Sequence, residues 1–229
     1  LQSLIQFLLA FFLTSIRLSA FFIAAPLFNA AFFMVRVRIL IAMVVSVIVF
    51  STQDVQVDVS VLTSAFGIVV IAKEIAIGAT AGLILSIMFA AATLAGEKIA
   101  TSAGLSYAAQ VDPVSGVQTP VVSQILALFL LAVFISVDGH LAALRIIIES
   151  YDFVPIGTLL IPSTLIQGGM EASGSMFLNA SIIMLPVIII VLLINVSIGI
   201  ITRSAPQLNL FSFGFPLTIL GTFIVLYFS

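Results

Sequence analysis

Apolar residues run along this chain in long blocks, with polar residues gathered into short gaps between them. Six blocks stand out, at roughly 2–28, 38–51, 61–95, 121–149, 176–202 and 208–228. A helix needs about 20 residues to cross roughly 30 Å of hydrocarbon, so most of these blocks have spanning length. The short alternating runs of barrel strands are missing. The pattern predicts an all-α protein of integral-membrane type.

The blocks are irregular. The second is short. The third is too long for one simple span, and Lys73 and Glu74 interrupt it. The fourth contains Asp138, Gly139 and His140. Pro26 and Pro186 fall inside the first and fifth, where a missing backbone donor kinks or ends a helix. Broken helices are tolerated in membranes where protein or water covers the freed backbone. Bent helices and helical hairpins are therefore expected, in place of a regular six-helix bundle. Arg36, Arg38 and Arg203 put the 29–38 and 203–207 connections on the cytoplasmic side, and Asp54 and Asp58 put 51–60 outside. Repeats of the kind that build secondary transporters are not evident; "AKEIAIGATAG" and "AGEKIATSAG" echo each other without matched flanks.

Composition agrees with the pattern. Of 229 residues, 62% are hydrophobic and 7% charged, and the mean hydropathy is +1.40. Such a surface needs lipid or equally apolar subunits around it. A net charge of −2 points away from nucleic acid. The absence of cysteine excludes disulfides, thiolate catalysis and cysteine metal sites, and a single histidine excludes a multi-histidine metal site. No cofactor is implied. The opening block lacks a basic n-region and is too long for a signal peptide.

A few residues stand out chemically. Arg17 lies deep in an apolar block, where a lone charge is costly. It either lines a pathway or pairs with a carboxylate or carbonyls. Lys73 and Glu74 are adjacent, about 100° apart on a helix, and are not expected to pair cleanly. Glu74 shares a face with Gly78, Ala81, Gly82 and Leu85. Gly78 and Gly82 form a small-xxx-small pattern that admits a close neighbour helix. Tight packing beside a buried carboxylate is one reading of this face; a proton relay is the other. Glu97 and Lys98 mark either a solvated helix end or a functional pair. Arg145 and Glu149 are spaced i, i+4 for a surface ion pair. Asp138 to His140 read as a polar break, since no nucleophile motif accompanies them. Asn179 and Asn195 are amides placed to bond a neighbouring helix.

Residues 104–120, "GLSYAAQVDPVSGVQTP", form a long, irregular, mildly polar segment between apolar blocks. Gly104 and Gly116 permit unusual backbone angles, while Pro113 and Pro120 discourage helix. Composition and length leave it as a connector or as a segment that lines or blocks something.

Several stretches together resemble the FliR family of flagellar type III export-gate subunits, which has a related injectisome subunit. "APQLNLFSFGFPL" at 205–217 is the most specific. "RLSAFFIAAPLF" (17–28), "KEIAIGATAGL" (73–83), "AGLSYAAQVDP" (103–113) and "DGH" (138–140) follow the family's order, so the resemblance covers almost the whole chain. The chain ends at Ser229, where many family members continue.

The resemblance implies a FliP-like part fused to a FliQ-like hairpin, about 1–175 and 176–229 of one export-gate domain. It implies assembly with FliP and FliQ, association with FlhB and FlhA, and passage of unfolded flagellar proteins across the bacterial inner membrane at the flagellar basal body. The gate would stand partly above the membrane plane. It also implies a non-enzymatic role, and a central loop acting as a pore plug at Gly104, Tyr107, Gln110, Asp112, Pro113, Gly116 and Gln118. Arg17, Lys73, Glu74, Gly78, Gly82, Glu97, Lys98, Asn195 and Arg203 are the candidate buried polar or assembly contacts. A secondary transporter or ion channel subunit is the alternative; it requires matched helix breaks carrying charges. An enzyme requires converging catalytic groups.

Overall fold

The computed structural model describes residues 2–26, 34–52, 66–105, 120–158, 162–205 and 214–228. Within them lie seven α-helices and no strand. They are α1 (Gln2–Ala24), α2 (Val35–Thr52), α3 (Phe66–Ser102), α4 (Val121–Ser136), α5 (Gly139–Phe153), α6 (Pro162–Ser204) and α7 (Phe215–Phe228).

The all-α expectation holds, and the elements differ in several places from the blocks expected. The third block does not break at Lys73–Glu74: α3 runs unbroken for 37 residues, about 55 Å at 1.5 Å per residue. Both charges find partners, so the helix has no reason to stop. The fifth block begins 14 residues early, because the polar stretch from Pro162 is helical too, and α6 reaches 43 residues. Pro186 lies inside α6 without ending it. Pro26 follows α1, whose last residue is Ala24. Arg36 and Arg38 belong to the first turn of α2, not to a connection. Basic groups there oppose the helix dipole, a small cost beside the burial of the apolar residues that follow.

The fourth block does break. Asp138 takes a left-handed conformation, φ 57°, between α4 and α5. The chain bends by 69° at this point. Gly139 is required beside it, since a Cβ there would meet the Phe134 ring at 2.6 Å. Aspartate is among the residues that tolerate this backbone region best.

The chain divides into two compact units. One comprises Leu1–Met88 and Phe134–Ser173, the other Phe89–Val133 and Gly174–Ser229. In the first, α1 and α2 form an antiparallel hairpin whose open end carries the edge-to-face pair Phe7–Phe50, centroids 4.7 Å apart. Ala10, Leu13 and Val70 lie at its core, with Ile16, Phe50, Phe66 and Ile156 packed around them. In the second, Ile99, Ala100, Val122, Val187 and Val191 are buried together. Ala91, Ala95 and Ala180 form a second cluster with Met176 and Met184.

Among the described residues, three helices are long and apolar enough to cross a membrane, or four if α4 and α5 count as one broken span. Only 17% of the apolar window of α6 is buried within the chain, against 39% for α1. Phe177, Leu178, Ile182, Leu192, Leu193 and Ile200 are exposed along α6. In lipid such faces gain little by packing on each other, so close van der Waals fit and hydrogen bonds must hold the helices together. The polar residues are where those bonds are found.

Candidate functional site

The first unit is built around a buried charge cluster. Arg17 and Glu74 are both fully buried. Arg17 Nε donates to Glu74 Oε2 at 2.6 Å. Its Nη1 donates to Ser150 Oγ at 3.0 Å and its Nη2 to the Val154 carbonyl at 2.8 Å. The Tyr151 ring lies 4.1 Å from the guanidinium carbon, and its hydroxyl donates to the Thr14 carbonyl at 2.8 Å. One planar guanidinium thereby ties α1 to α3 and to the end of α5.

Lys73 completes the cluster. Its ammonium lies 3.2 Å from Glu74 Oε1, so the adjacent residues do meet. The long lysine stem bends around the helix to close the 100° between them. The contact is one of charge, since Glu74 Oε1 gains no aligned hydrogen bond. The same ammonium donates to the carbonyls of Pro155 at 2.9 Å and Thr158 at 3.2 Å. Two cations thus face one carboxylate, leaving one positive charge over. The carbonyls beyond the end of α5 receive it, where the helix leaves acceptors unpaired and its dipole is negative.

Below this cluster a single stripe of α3 binds α1. Residues 74, 78, 82 and 86 repeat every four positions. Glu74 takes the Arg17 side chain, and Gly78 lies against the Arg17 carbonyl, where a Cβ would overlap it. A Cβ on Gly82 would meet the Phe21 carbonyl and Ala24 Cβ at 2.7 Å. Ser86 Oγ donates to the Ala24 carbonyl at 2.7 Å, satisfying an acceptor at the end of α1. The paired numbers rise together, so α1 and α3 run parallel here. Sequence reasoning left out Ser86, although its place as the next member of the four-residue repeat is a signal that could have found it. Ser150 and Tyr151 carried no sequence signal, because their partner lies more than 130 residues away.

In the second unit the polar contacts gather at the end of α3. The Leu105 amide bonds the Ala100 carbonyl at 3.0 Å and the Gly104 amide bonds that of Thr101 at 3.1 Å. Gly104 has φ 80°, and Leu105 packs on the Ile99–Ala100 cluster. This is a Schellman cap with its hydrophobic contact. Asn195, on α6, donates to the Ser102 carbonyl at 3.4 Å and accepts from Thr218 Oγ1, on α7, at 3.1 Å. Gly96 touches the Ser123 backbone so closely that no Cβ fits, and Ser123 Oγ donates to the Thr93 carbonyl at 3.2 Å. Residues 105 and 120, which border the central segment, thus adjoin fixed ends of α3 and α4.

Of the plug candidates, Gly104 is placed as this cap. Tyr107, Gln110, Asp112, Pro113, Gly116 and Gln118 lie outside the described residues. Glu97 and Lys98 are exposed near the end of α3, and Arg203 is exposed in the last turn of α6. Arg145 and Glu149 form an exposed ion pair at 2.6 Å. No group of three or more histidine and carboxylate side chains could hold a metal among the described residues.

Residues 8–229 match the family described as bacterial export proteins, family 1. The flagellar biosynthetic protein FliR of Buchnera aphidicola subsp. Baizongia pistaciae is 32% identical over 98% of this chain and 86% of its own length. That of Escherichia coli is 32% identical over 91% of this chain and 79% of its own. The surface presentation of antigens protein SpaR of Shigella flexneri is 27% identical over 91% of this chain and 80% of its own.

Proposed function

The chain belongs to the bacterial export proteins of family 1, with FliR proteins among its relatives, and we propose that it is a non-enzymatic subunit of the flagellar type III export gate. The observation that carries this reading is the extent of the match, which runs through residues 8–229 and so through both compact units. In this reading the chain assembles with FliP and FliQ, associates with FlhB and FlhA, and helps close a channel for unfolded flagellar proteins. It sits at the bacterial inner membrane, in the flagellar basal body.

The distribution of surface supports it. The apolar length of α6 is mostly uncovered, as are faces of α1, α2 and α7. Such surface suits a subunit enclosed by sister chains and lipid. The buried ionic cluster suits a mechanical part, since Arg17 and Glu74 join two helices and Lys73 binds the turn that follows α5. The segment from 1 to about 175 is the FliP-like part, and 176–229 the FliQ-like hairpin. The loop that holds Tyr107, Gln110, Asp112, Pro113, Gly116 and Gln118 is the plug, low in charge so that passing chains are not retained.

Co-expression tests the reading. With FliP and FliQ the chain is expected to elute in detergent as one discrete complex; alone it is expected to aggregate. A stable monomer that ignores both partners overturns it.

A further inference from the structure

We propose that Lys73 is a strap that holds the turn after α5, residues 155–158, in place, separable from the Arg17–Glu74 pair that holds the helices. Two observations place the division there. Arg17 bonds the last turn of α5 and the residue after it, Ser150 and Val154, whereas Lys73 bonds Pro155 and Thr158, beyond the helix. Both cations are buried, Arg17 with no exposure and Lys73 with 7%. The turn itself is thinly packed. Pro155 and Thr158 are exposed, and Gly157, at φ 89°, has nothing within 4 Å of where a Cβ would stand.

Within the turn, Thr158 bonds the Pro155 carbonyl through its hydroxyl at 2.8 Å and its amide at 3.3 Å. These local bonds close the turn on itself but do not tie it down. Ile156 anchors it by packing on the Ala10–Leu13–Val70 cluster. Among the described residues, the side-chain donors that reach residues 155–158 from elsewhere are those of Lys73. The ammonium also sits against Glu74, which fixes its position without using the hydrogens aimed at the two carbonyls. Removing it frees the turn and leaves Arg17 Nε on Glu74 Oε2. The pair then keeps one cation for one carboxylate.

Hydrogen exchange on the co-purified complex tests this, comparing the native chain with Lys73→Met and Lys73→Arg. Methionine fills the stem's volume without donors; arginine keeps donors at similar reach. A charge-assisted bond to a carbonyl is lost, so the Thr158 amide is expected to exchange about 10-fold faster or more in Lys73→Met. Amides of α1 and α3 keep their native rates, and Lys73→Arg restores protection of the turn. Unchanged exchange at 156–158 overturns the proposal. So does acceleration throughout α1 and α3, or failure of Lys73→Met to assemble, because either makes Lys73 part of the core.

Discussion

Arg17 on α1 and Glu74 on α3 meet at 2.6 Å with no exposure on either side chain, 57 residues apart in the chain. A lone charge at either position would be among the costliest features of an apolar protein. Together they bind two parallel helices that also share close backbone contact, the Ser86–Ala24 hydrogen bond and the Ala10–Leu13–Val70 cluster.

Removing one partner is therefore asymmetric. Glu74→Met leaves two cations facing each other and is expected to cost about 3–5 kcal/mol. Arg17→Met costs less, because Lys73 still faces Glu74 at 3.2 Å. The double Arg17→Met/Glu74→Met variant keeps the native net charge of the cluster and should recover most of the loss. Thermal midpoints of the purified complex rank the three; a double variant worse than both singles refutes the account.

Gly78 carries a different burden from the glycines of α6. Gly78→Ala must push a methyl into the Arg17 carbonyl, a backbone atom that cannot rotate away. The expected cost is about 1–3 kcal/mol. Gly174→Ala and Gly199→Ala meet nothing within 4 Å and should be neutral or raise the midpoint slightly.

At the end of α3, Gly104→Ala forces an L side chain into φ 80°. It should cost about 1 kcal/mol, and Gly104→Asn less, since asparagine tolerates the left-handed region. Equal losses for the two would show that space, not backbone angle, fixes the glycine.

Asn195 and Thr218 are expected to be coupled. A double-mutant cycle of Asn195→Ala and Thr218→Val should show about 0.5–1.5 kcal/mol of interaction, the worth of one hydrogen bond between helices. Strict additivity would mean that the 3.1 Å contact contributes nothing.

Deleting residues 106–118 tests the plug. Ion conductance through the assembled gate should rise in membranes of cells carrying the deletion, with the complex still formed. Unchanged conductance removes the plug from the proposal.

Arg145 and Glu149 provide a contrast to the buried pair. They are as close, at 2.6 Å, but 80% and 45% exposed. Replacing both with glutamine should leave the midpoint unchanged, because water and ions screen them.

The sequence by itself determined the fold class, since long apolar blocks without the alternation of barrel strands leave the backbone no stable form in lipid but helix. It also located the break at Asp138–Gly139 and the packing face of Glu74, Gly78 and Gly82, because glycine and charge in an apolar run are rare enough to speak locally. It read Lys73–Glu74 as an interruption where α3 runs on, and left Pro186 as either a kink or an end of its helix. Both have one cause. Whether a charge or a lost backbone bond stops a helix depends on what stands beside it in space. Tertiary structure alone decided that Arg17 belongs to Glu74, that Ser150, Tyr151 and Val154 complete its shell, and that Asn195 bridges Ser102 and Thr218. Those partners lie from 23 to 137 residues apart. Helical periodicity reports which residues share a face, but not which other face arrives to meet it.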